Sequence, residues 1–435
     1  MDYRGKKVLV MGLQASGISA GFLLKKLGAE VYCYDDNLSL GINEFINLST
    51  EVISVLDNID LIVTSPGIPS THDVIKEAKA RKIPIISELE LGCVNLFCPI
   101  IMVTGTNGKT TEVTMLDKLL SGMGLKVKAM GNVGYPVSQV VLDETPLDFA
   151  IVEASSFQLE YIKDAKPYIA VVMNLAPDHM DRYATYSDYV NAKKNIIKNQ
   201  TENDYIFING DDAICRRFGQ ESRAKTVSVT LRNSHNAVYI KDNFFMFEDS
   251  SVCHVKECRL RGDHNKFNLL VALNVGALLG AKKEHLANLI REYTLLPNRI
   301  EYVSTLNGIS YYNDSKGTNI HACRYAIDSL DGDIGLIMGG SDKNEDFCEF
   351  FENIDDKVKA VAVCGGNADK IYSSALKMGY TDIEVFPTLK EAVVYLSAKD
   401  VKNVLLSPCS ASFDRYKNYA ERGEYFKSLI YEINV

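Results

Sequence analysis

The run Val-Thr-Gly-Thr-Asn-Gly-Lys-Thr-Thr at residues 103–111 combines glycines, a lysine and paired threonines in a spacing that can hold a polyphosphate. Gly105, Thr106, Asn107 and Gly108 supply backbone N–H groups that can turn onto phosphate oxygens, and a helix starting behind them favours anions. Lys109 can reach terminal phosphates, Thr110 can ligate Mg2+, and Thr111 follows in the same turn. The strict phosphate-loop consensus has a glycine where Val103 stands, so this is a shorter variant. A structural glycine turn is the plainer alternative; Gly-Lys-Thr between a strand-like and a helical stretch favours ATP. Glu153 ends the apolar run FAIVE, where an acidic residue on a neighbouring strand can complete a metal site beside such a loop. Ser155, Ser156 and Gln158 follow it, and NLAPDHMD at 174–181 again puts polar groups beyond a strand. His179 alone reads as an exposed loop histidine, but with Glu153 and the phosphate loop it becomes a candidate ligand or orienting group for a second metal.

Two more clusters lie outside this centre. GLQASG, from Gly12 to Gly17, resembles a dinucleotide fingerprint but carries Gln14 at the middle glycine, where a side chain blocks close approach of a pyrophosphate. Asp35 and Asp36 suit a ribose hydroxyl or simply end a charged strand. The favoured reading is a nucleotide-related ligand held through backbone and Ser16, without nicotinamide hydride chemistry. Near the carboxyl end, NDSKGTN (313–319), GGSDK (339–343) and SPCSASFD (407–414) each follow an apolar run. Lys316, Lys343, Thr318 and Ser412 there offer donors and positive charge for a small anion. Helix capping by Thr318, Asn319 or Ser412 is the structural alternative, and it is compatible with ligand binding.

These clusters need strands that end where the chemistry begins. KKVLVMG (6–12), Val31 to Tyr34, Leu61 to Thr64 and Ile83 to Ile86 alternate with helical patterns, giving a first α/β domain over 1–93. PIIMVTG (99–105), FAIVE (149–153) and YIAVVMN (168–174) read as strands of a second, nucleotide-sized sheet. KTVSV, AVYI and NFFMF between 225 and 247 suggest an antiparallel addition before a core helix near Asn265 to Gly280. This second domain spans 94–297, with LLPNRIEYV as a linker. From 298 to 435 the runs ISYYND, GLIMGG, VKAVAVCGG, IEVF and NVLLSP build a third α/β domain.

The bulk properties agree with this organisation. A chain of 435 residues predicts two to four domains, and 46% hydrophobic residues with 24% charged is ordinary globular composition. The net charge of -9 leaves no footprint for general nucleic-acid or anionic-membrane binding, so anions must be held locally. The ten cysteines lack zinc-knuckle spacing, and the opening MDYRGKKVLV lacks a secretion signal, so reduced thiols in the cytoplasm are expected. The most apolar stretch, 268–281, is too short and broken to cross a bilayer.

Taken in order, the phosphate loop, VEASSFQLE, NLAPDHMDRY, LPNRIEY, NDSKGTN and SPCSASFD resemble the Mur ligases of peptidoglycan synthesis over nearly the whole chain. The phosphate loop is shared with folylpolyglutamate synthases, whereas SSFQLE and NDSKGTN are more specific and select the glutamate-adding step. The resemblance implies a three-domain α/β fold: a Rossmann-like UDP-binding domain, a central P-loop-type ATP-binding domain and a Rossmann-like amino-acid-binding domain. It implies that ATP is held by Gly105 to Thr111 with Asn265, Asn268, Arg299, Asp314 and Lys316. Ala15, Ser16, Asp35, Asp36, Asn132, Ser156 and Gln158 would contact UDP-N-acetylmuramoyl-L-alanine. Thr318, Lys343, Ser412 and the backbone near Phe413 and Tyr419 would bind D-glutamate. Lys109, Glu153, His179 and Lys193 would be catalytic. Two Mg2+ ions are implied, held by Thr110, Glu153, His179 and Lys193, the last as a carbamate; on bare sequence Lys193 is an exposed helical lysine, and Lys194 beside it leaves the register open. A monomer, with domain closure assembling the site, is the expectation. Glu112, Gln14, Asp36 and Asn298 depart from the family's usual residues. A nicotinamide oxidoreductase, a nucleotide-hydrolysing switch and another Mur or folate-type ligase are the competing readings.

Overall fold

The computed structural model describes all residues except Met1, Thr50, Val133, Asp181, residues 233–235, Arg261, Lys343, Asn344, Asn434 and Val435, and of Ile433 only the backbone. Lys343, expected to bind an amino-acid carboxylate, therefore lies outside the described residues, as does Asp181 of the NLAPDHMD run.

Three sheets, two wholly and one mostly parallel, follow one another along the chain. In the first, Lys7–Met11 is central, flanked by Glu30–Tyr34 and Leu61–Thr64, with Ile46–Asn47 and Ile85–Ser87 at the edges, all parallel. Val8 to Met11 are wholly buried because helices cover both faces of such a sheet, which is why this strand reads as a continuous apolar run. The second sheet runs Lys225–Val229, Tyr205–Asn209, Ile169–Val172, Ile100–Thr104, Phe149–Glu153, Val127–Gly131, again all parallel. KTVSV is thus a parallel edge strand rather than part of an antiparallel addition. Its placement follows from the helix Ala213–Glu221, which provides the crossover a parallel neighbour requires. The antiparallel addition is instead Val238–Lys241, Phe244–Phe247 and Ser250–His254.

The third sheet runs Glu301–Leu306, Ile309–Asn313, Asn403–Leu406, Ile334–Met338, Val358–Val363, Ile383–Val385. Only the first of these strands is antiparallel. It occupies part of the expected linker. Asn307 and Gly308 both have positive φ, +51° and +84°, as the tight Asn-Gly hairpin turn between the first two strands requires.

By compactness the chain forms two units, one of residues 1–175, 185–255 and 268–289, the other of 176–184, 256–267 and 290–435. Within the first, the helix Glu88–Cys93 fastens the first sheet to the second. Buried Glu90 accepts backbone N–H groups of Lys163, Asp164 and Ala165 at 3.1, 2.7 and 3.0 Å, and Glu88 accepts that of Ser138 at 2.7 Å. Complete burial nevertheless raises the Glu88 carboxyl to about 6. Among the described residues no helix is long and apolar enough to cross a membrane, and the helix Asp263–Leu278 buries Leu269 to Leu273 in the protein instead.

Candidate active site

The phosphate loop connects strand Ile100–Thr104 to helix Lys109–Gly122. Gly108, the residue before the helix, has φ +84°, and a Cβ there would come within 3.2 Å of the Asn268 Oδ1 atom, so both backbone and space call for glycine. Asn174, just beyond strand Ile169–Val172, braces the loop. Its carbonyl accepts the Thr106 N–H at 2.9 Å, its Oδ1 accepts the Asn107 N–H at 2.8 Å, and its Nδ2 donates to the Asn107 carbonyl at 2.9 Å. The Lys109 ammonium donates to the carbonyls of Gly105 and Thr106 at 2.8 and 2.9 Å.

Lys193 is not the exposed helical lysine that its local sequence suggests. It is only 1% exposed, and its Nζ donates to the Gly105 carbonyl at 2.8 Å while lying 4.8 Å from the centre of the Tyr189 ring. The Tyr189 hydroxyl bonds the Thr106 Oγ1 at 2.9 Å, so helix Tyr186–Lys194 delivers two side chains to the loop. Lys194 points elsewhere, pairing with Glu221, which settles which of the two lysines meets the loop.

Glu153 is the register partner of Val103, so its position at the strand end places it beside the start of the loop. It is 2% exposed; Oε1 accepts Asn132 Nδ2 at 2.8 Å, and Oε2 has no hydrogen-bond partner among the described residues. A buried carboxylate oxygen without a donor is expensive, and a hard cation is the partner that would satisfy it. Thr110, buried at the first helical turn, offers a second oxygen. Among the described residues no three or more His, Cys, Asp or Glu side chains gather as a metal-holding group.

Glu112 lies fully buried one helical step further on, both its carboxylate oxygens lacking a hydrogen-bond partner among the described residues. Burial pushes its pKa well above the usual carboxylate range. Replacing it by a residue of similar volume should help: Glu112→Met is expected to raise unfolding stability by about 1–3 kcal/mol in urea titrations. A loss of stability would show that the carboxyl has a partner after all.

Around the first sheet, Asp35 Oδ2 accepts the Leu13 N–H at 2.7 Å and Oδ1 the Asn37 N–H at 2.9 Å. Asp36 is exposed and held below its ordinary value by the His72 ring at 3.1 Å and the Tyr34 hydroxyl at 3.0 Å. Ala15 and Ser16 open helix Ala15–Lys26; Gln14 precedes it and makes no side-chain capping bond. Gly17 is required by packing, since a Cβ would fall 1.7 Å from the Gly12 carbonyl oxygen. Asn132 is exposed beside Glu153. Ser156 and Gln158 are buried, and Gln158 Oε1 accepts both the N–H and hydroxyl of Ser155 at 3.0 Å in a capping box. Ser156 thus opens a helix whose N-cap is Ser155, with Gln158 closing the box.

In the second unit, strands Ile309–Asn313, Asn403–Leu406 and Ile334–Met338 are adjacent and parallel, so NDSKGTN, SPCSASFD and the start of GGSDK emerge together at the carboxyl ends of three neighbouring interior strands. Asp314 accepts the Ser407 hydroxyl at 2.7 Å and the Ile300 N–H at 3.3 Å. Lys316 Nζ donates to the Tyr419 hydroxyl at 3.0 Å and lies 4.1 Å from its ring centre. Ser412 is buried, Thr318 and Arg299 are half-buried, and Phe413 is exposed. Asn319 caps helix Ile320–Asp328 through the Ala322 N–H at 2.8 Å, and its Nδ2 donates to Asp178 Oδ2 at 3.2 Å. That bond ties the loop to His179, which has φ +59° and whose Nε2 is 3.7 Å from Asp178 Oδ2. Asn265 is buried in this unit. Asn298 has φ +64°, a conformation asparagine tolerates better than most residues, and its Oδ1 accepts Asn313 Nδ2 at 2.9 Å. Its work here is to hold the strand end. Asn174 opens the polar NLAPDHMD run, whereas Tyr189 and Arg422, which also cross-brace the loops, carry no local sequence signal.

Burial raises the Asp314 carboxyl from 3.8 to about 7, against the lowering effect of the Ser407 hydrogen bond and Arg299. Between those values the folded chain keeps a proton that the unfolded chain releases, so this group's stabilising contribution is lost as pH rises through about 7. The stability of Asp314→Asn relative to the parent chain should therefore increase across that window. Urea titrations at several pH values check this; a difference independent of pH contradicts it.

Comparison with known proteins adds to this geometry. Residues 103–276 match the Mur ligase middle domain and residues 298–409 the Mur ligase, glutamate ligase domain. The chain is 37% identical over 452 aligned residues to the UDP-N-acetylmuramoylalanine--D-glutamate ligase of Thermoanaerobacter pseudethanolicus, covering 100% of both. It is 37% identical over 441 to the enzyme of that name from Ligilactobacillus salivarius, covering 98% of this chain and 96% of that one. Among solved structures, MurF ligase from Thermotoga maritima in complex with ADP superposes with a TM-score of 0.63 at 16% identity, over 99% of this chain and 96% of that one. Mycobacterium tuberculosis folylpolyglutamate synthase gives 0.58 at 14% identity over 77% and 92%. Those two share the fold. With full-length identity above a third and two matched domain models bracketing the phosphate loop and the third sheet, the chain belongs to the Mur ligase family.

Proposed function

We propose that this chain joins D-glutamate to UDP-N-acetylmuramoyl-L-alanine at the cost of one ATP, as a cytoplasmic step of peptidoglycan precursor synthesis. The observation that carries the choice of amino acid is its full-length relationship to ligases whose names give that activity.

A carboxylate resists amine attack because oxide is a very poor leaving group; phosphorylation by ATP makes an acyl phosphate that releases phosphate readily. The loop Gly105 to Thr111 holds the ATP phosphates through backbone N–H groups, and Lys109 leaves its loop carbonyls to stabilise charge on the transferring phosphoryl group. Asn265, Asn268, Arg299, Asp314 and Lys316 bind the rest of the nucleotide. Ala15, Ser16, Asp35, Asp36, Asn132, Ser156 and Gln158 hold the UDP-muramoyl substrate. Thr318, Ser412, the backbone near Phe413 and Tyr419, and Lys343 outside the described residues fix the D-glutamate carboxylates, so that its amine meets the acyl carbon. The tetrahedral adduct then expels phosphate and leaves the amide.

The Glu153 oxygen without a hydrogen-bond partner among the described residues and the buried Thr110 fit Mg2+; these two, His179 and Lys193 as its N-carbamate would hold two such ions, the carbamate turning a buried cation into an oxygen ligand. When bound, Mg2+ offsets repulsion between the γ-phosphate and the substrate carboxylate. The chain acts as a monomer of 48.3 kDa in this reading, which light scattering tests. The function itself is tested by ADP formation with a panel of amino acids: D-glutamate should support it, and activity with meso-diaminopimelate but not D-glutamate would overturn the assignment.

A further inference from the structure

Arg422 belongs to helix Tyr419–Ile433, in a stretch where an arginine is ordinarily a solvated residue, yet it is only 4% exposed. Its guanidinium is spent on loop backbone. Nε donates to Ser315 Oγ at 2.9 Å, Nη2 to the carbonyls of Ser315 and Ser410 at 2.8 and 3.0 Å, and Nη1 to those of Ala411 and Gly339 at 3.2 and 3.4 Å. These acceptors lie on NDSKGTN, SPCSASFD and GGSDK, the three strand-end loops.

The surroundings reinforce the same joint. A Cβ on Gly340 would meet the Ala411 carbonyl oxygen at 2.1 Å and Arg422 Nη1 at 3.0 Å, so the third loop packs against the guanidinium without a side chain between. Asn367 bridges two of the loops, accepting the Gly340 N–H at 2.9 Å and donating to Ser410 Oγ at 2.8 Å. Ser315 Oγ donates in turn to the Tyr419 carbonyl at 2.8 Å, at the start of the helix that carries Arg422. A planar fork with five N–H groups can serve acceptors on three segments at once; the point charge of a lysine cannot.

We propose that Arg422 is a positioning residue of the D-glutamate site, setting the mutual spacing of the loops that carry Thr318, Ser412 and Lys343. It rests on the amino-acid site assigned above and does not itself touch the substrate. Because most of its hydrogen bonds fall on the loops that carry the D-glutamate residues, its loss should be felt first as weaker D-glutamate binding, less on ATP, whose ligands Asp314 and Lys316 flank Ser315, and little on the UDP substrate.

The test uses the full chain with Arg422→Lys, and Ser315→Ala as a milder second variant that removes the Nε acceptor. KM for each of the three substrates is measured, together with first-turnover ADP formation without D-glutamate and a thermal melt. Arg422→Lys is expected to raise KM for D-glutamate about 10- to 100-fold, with a clearly smaller rise for ATP, and with KM for the UDP substrate and first-turnover ADP at saturating ATP nearly unchanged. An unchanged D-glutamate KM, or equal changes in all three, overturns the proposal. Should Arg422→Lys lack a cooperative melt, Ser315→Ala decides on the same criteria, with an expected rise of about three-fold. A parent enzyme indifferent to D-glutamate would instead sink the functional reading, so the two failures are separable.

Discussion

Lys109→Ala is expected to lower kcat for ADP formation by at least about 100- to 1,000-fold, the range for removing one preorganised charge-stabilising group. The ammonium bonds the carbonyls of Gly105 and Thr106, so it is stationed at the loop before any phosphate arrives. Its removal leaves the loop's other supports intact, because Asn174 makes three hydrogen bonds to Thr106 and Asn107 that do not involve Lys109. A thermal melt close to that of the parent chain should accompany the loss of turnover. Near-normal turnover would remove Lys109 from phosphoryl transfer.

Glu153→Gln is expected to cut kcat by about 100-fold or more and to raise the Mg2+ concentration needed for half-maximal rate. The substitution keeps shape and leaves the new amide oxygen able to accept from Asn132 Nδ2, so the strand end is preserved. What it removes is the negative charge behind the buried oxygen that has no donor among the described residues. A neutral amide offers a cation one weaker oxygen, and its NH2 group opposes it. A magnesium titration of steady-state ADP formation separates this from general damage: an unshifted midpoint would show that Glu153 faces no cation.

How much of this could be read from the chain depends on how local the signal is. Leu61–Thr64 and Phe149–Glu153 coincide with their apolar runs because wholly buried parallel strands write their burial directly into sequence. Glu301–Leu306 was missed because its first half falls in an expected linker: it is an edge strand with mostly half-exposed residues, and only Asn307-Gly308 announces its hairpin. The direction of Lys225–Val229 depends on which strand it joins, which alternation alone does not encode. Within the site, the phosphate loop was legible because its glycines and lysine act over a few residues. Lys193 was reached only through the family resemblance, since it looks like any helical lysine, and Arg422 not at all, since it looks like any surface arginine until tertiary packing buries it. Asp178, bonded to Asn319 across a large sequence separation, is legible only in three dimensions.

The central claim is that ATP is spent to make one carboxylate electrophilic for one amino acid. It is tested most directly by following ADP and phosphate release over many turnovers with each reactant withheld in turn. Sustained release should require ATP, Mg2+, UDP-N-acetylmuramoyl-L-alanine and D-glutamate together, and should match amide product mole for mole. Multiple-turnover release that proceeds equally well without D-glutamate, or none at all when every reactant is present, would contradict the account.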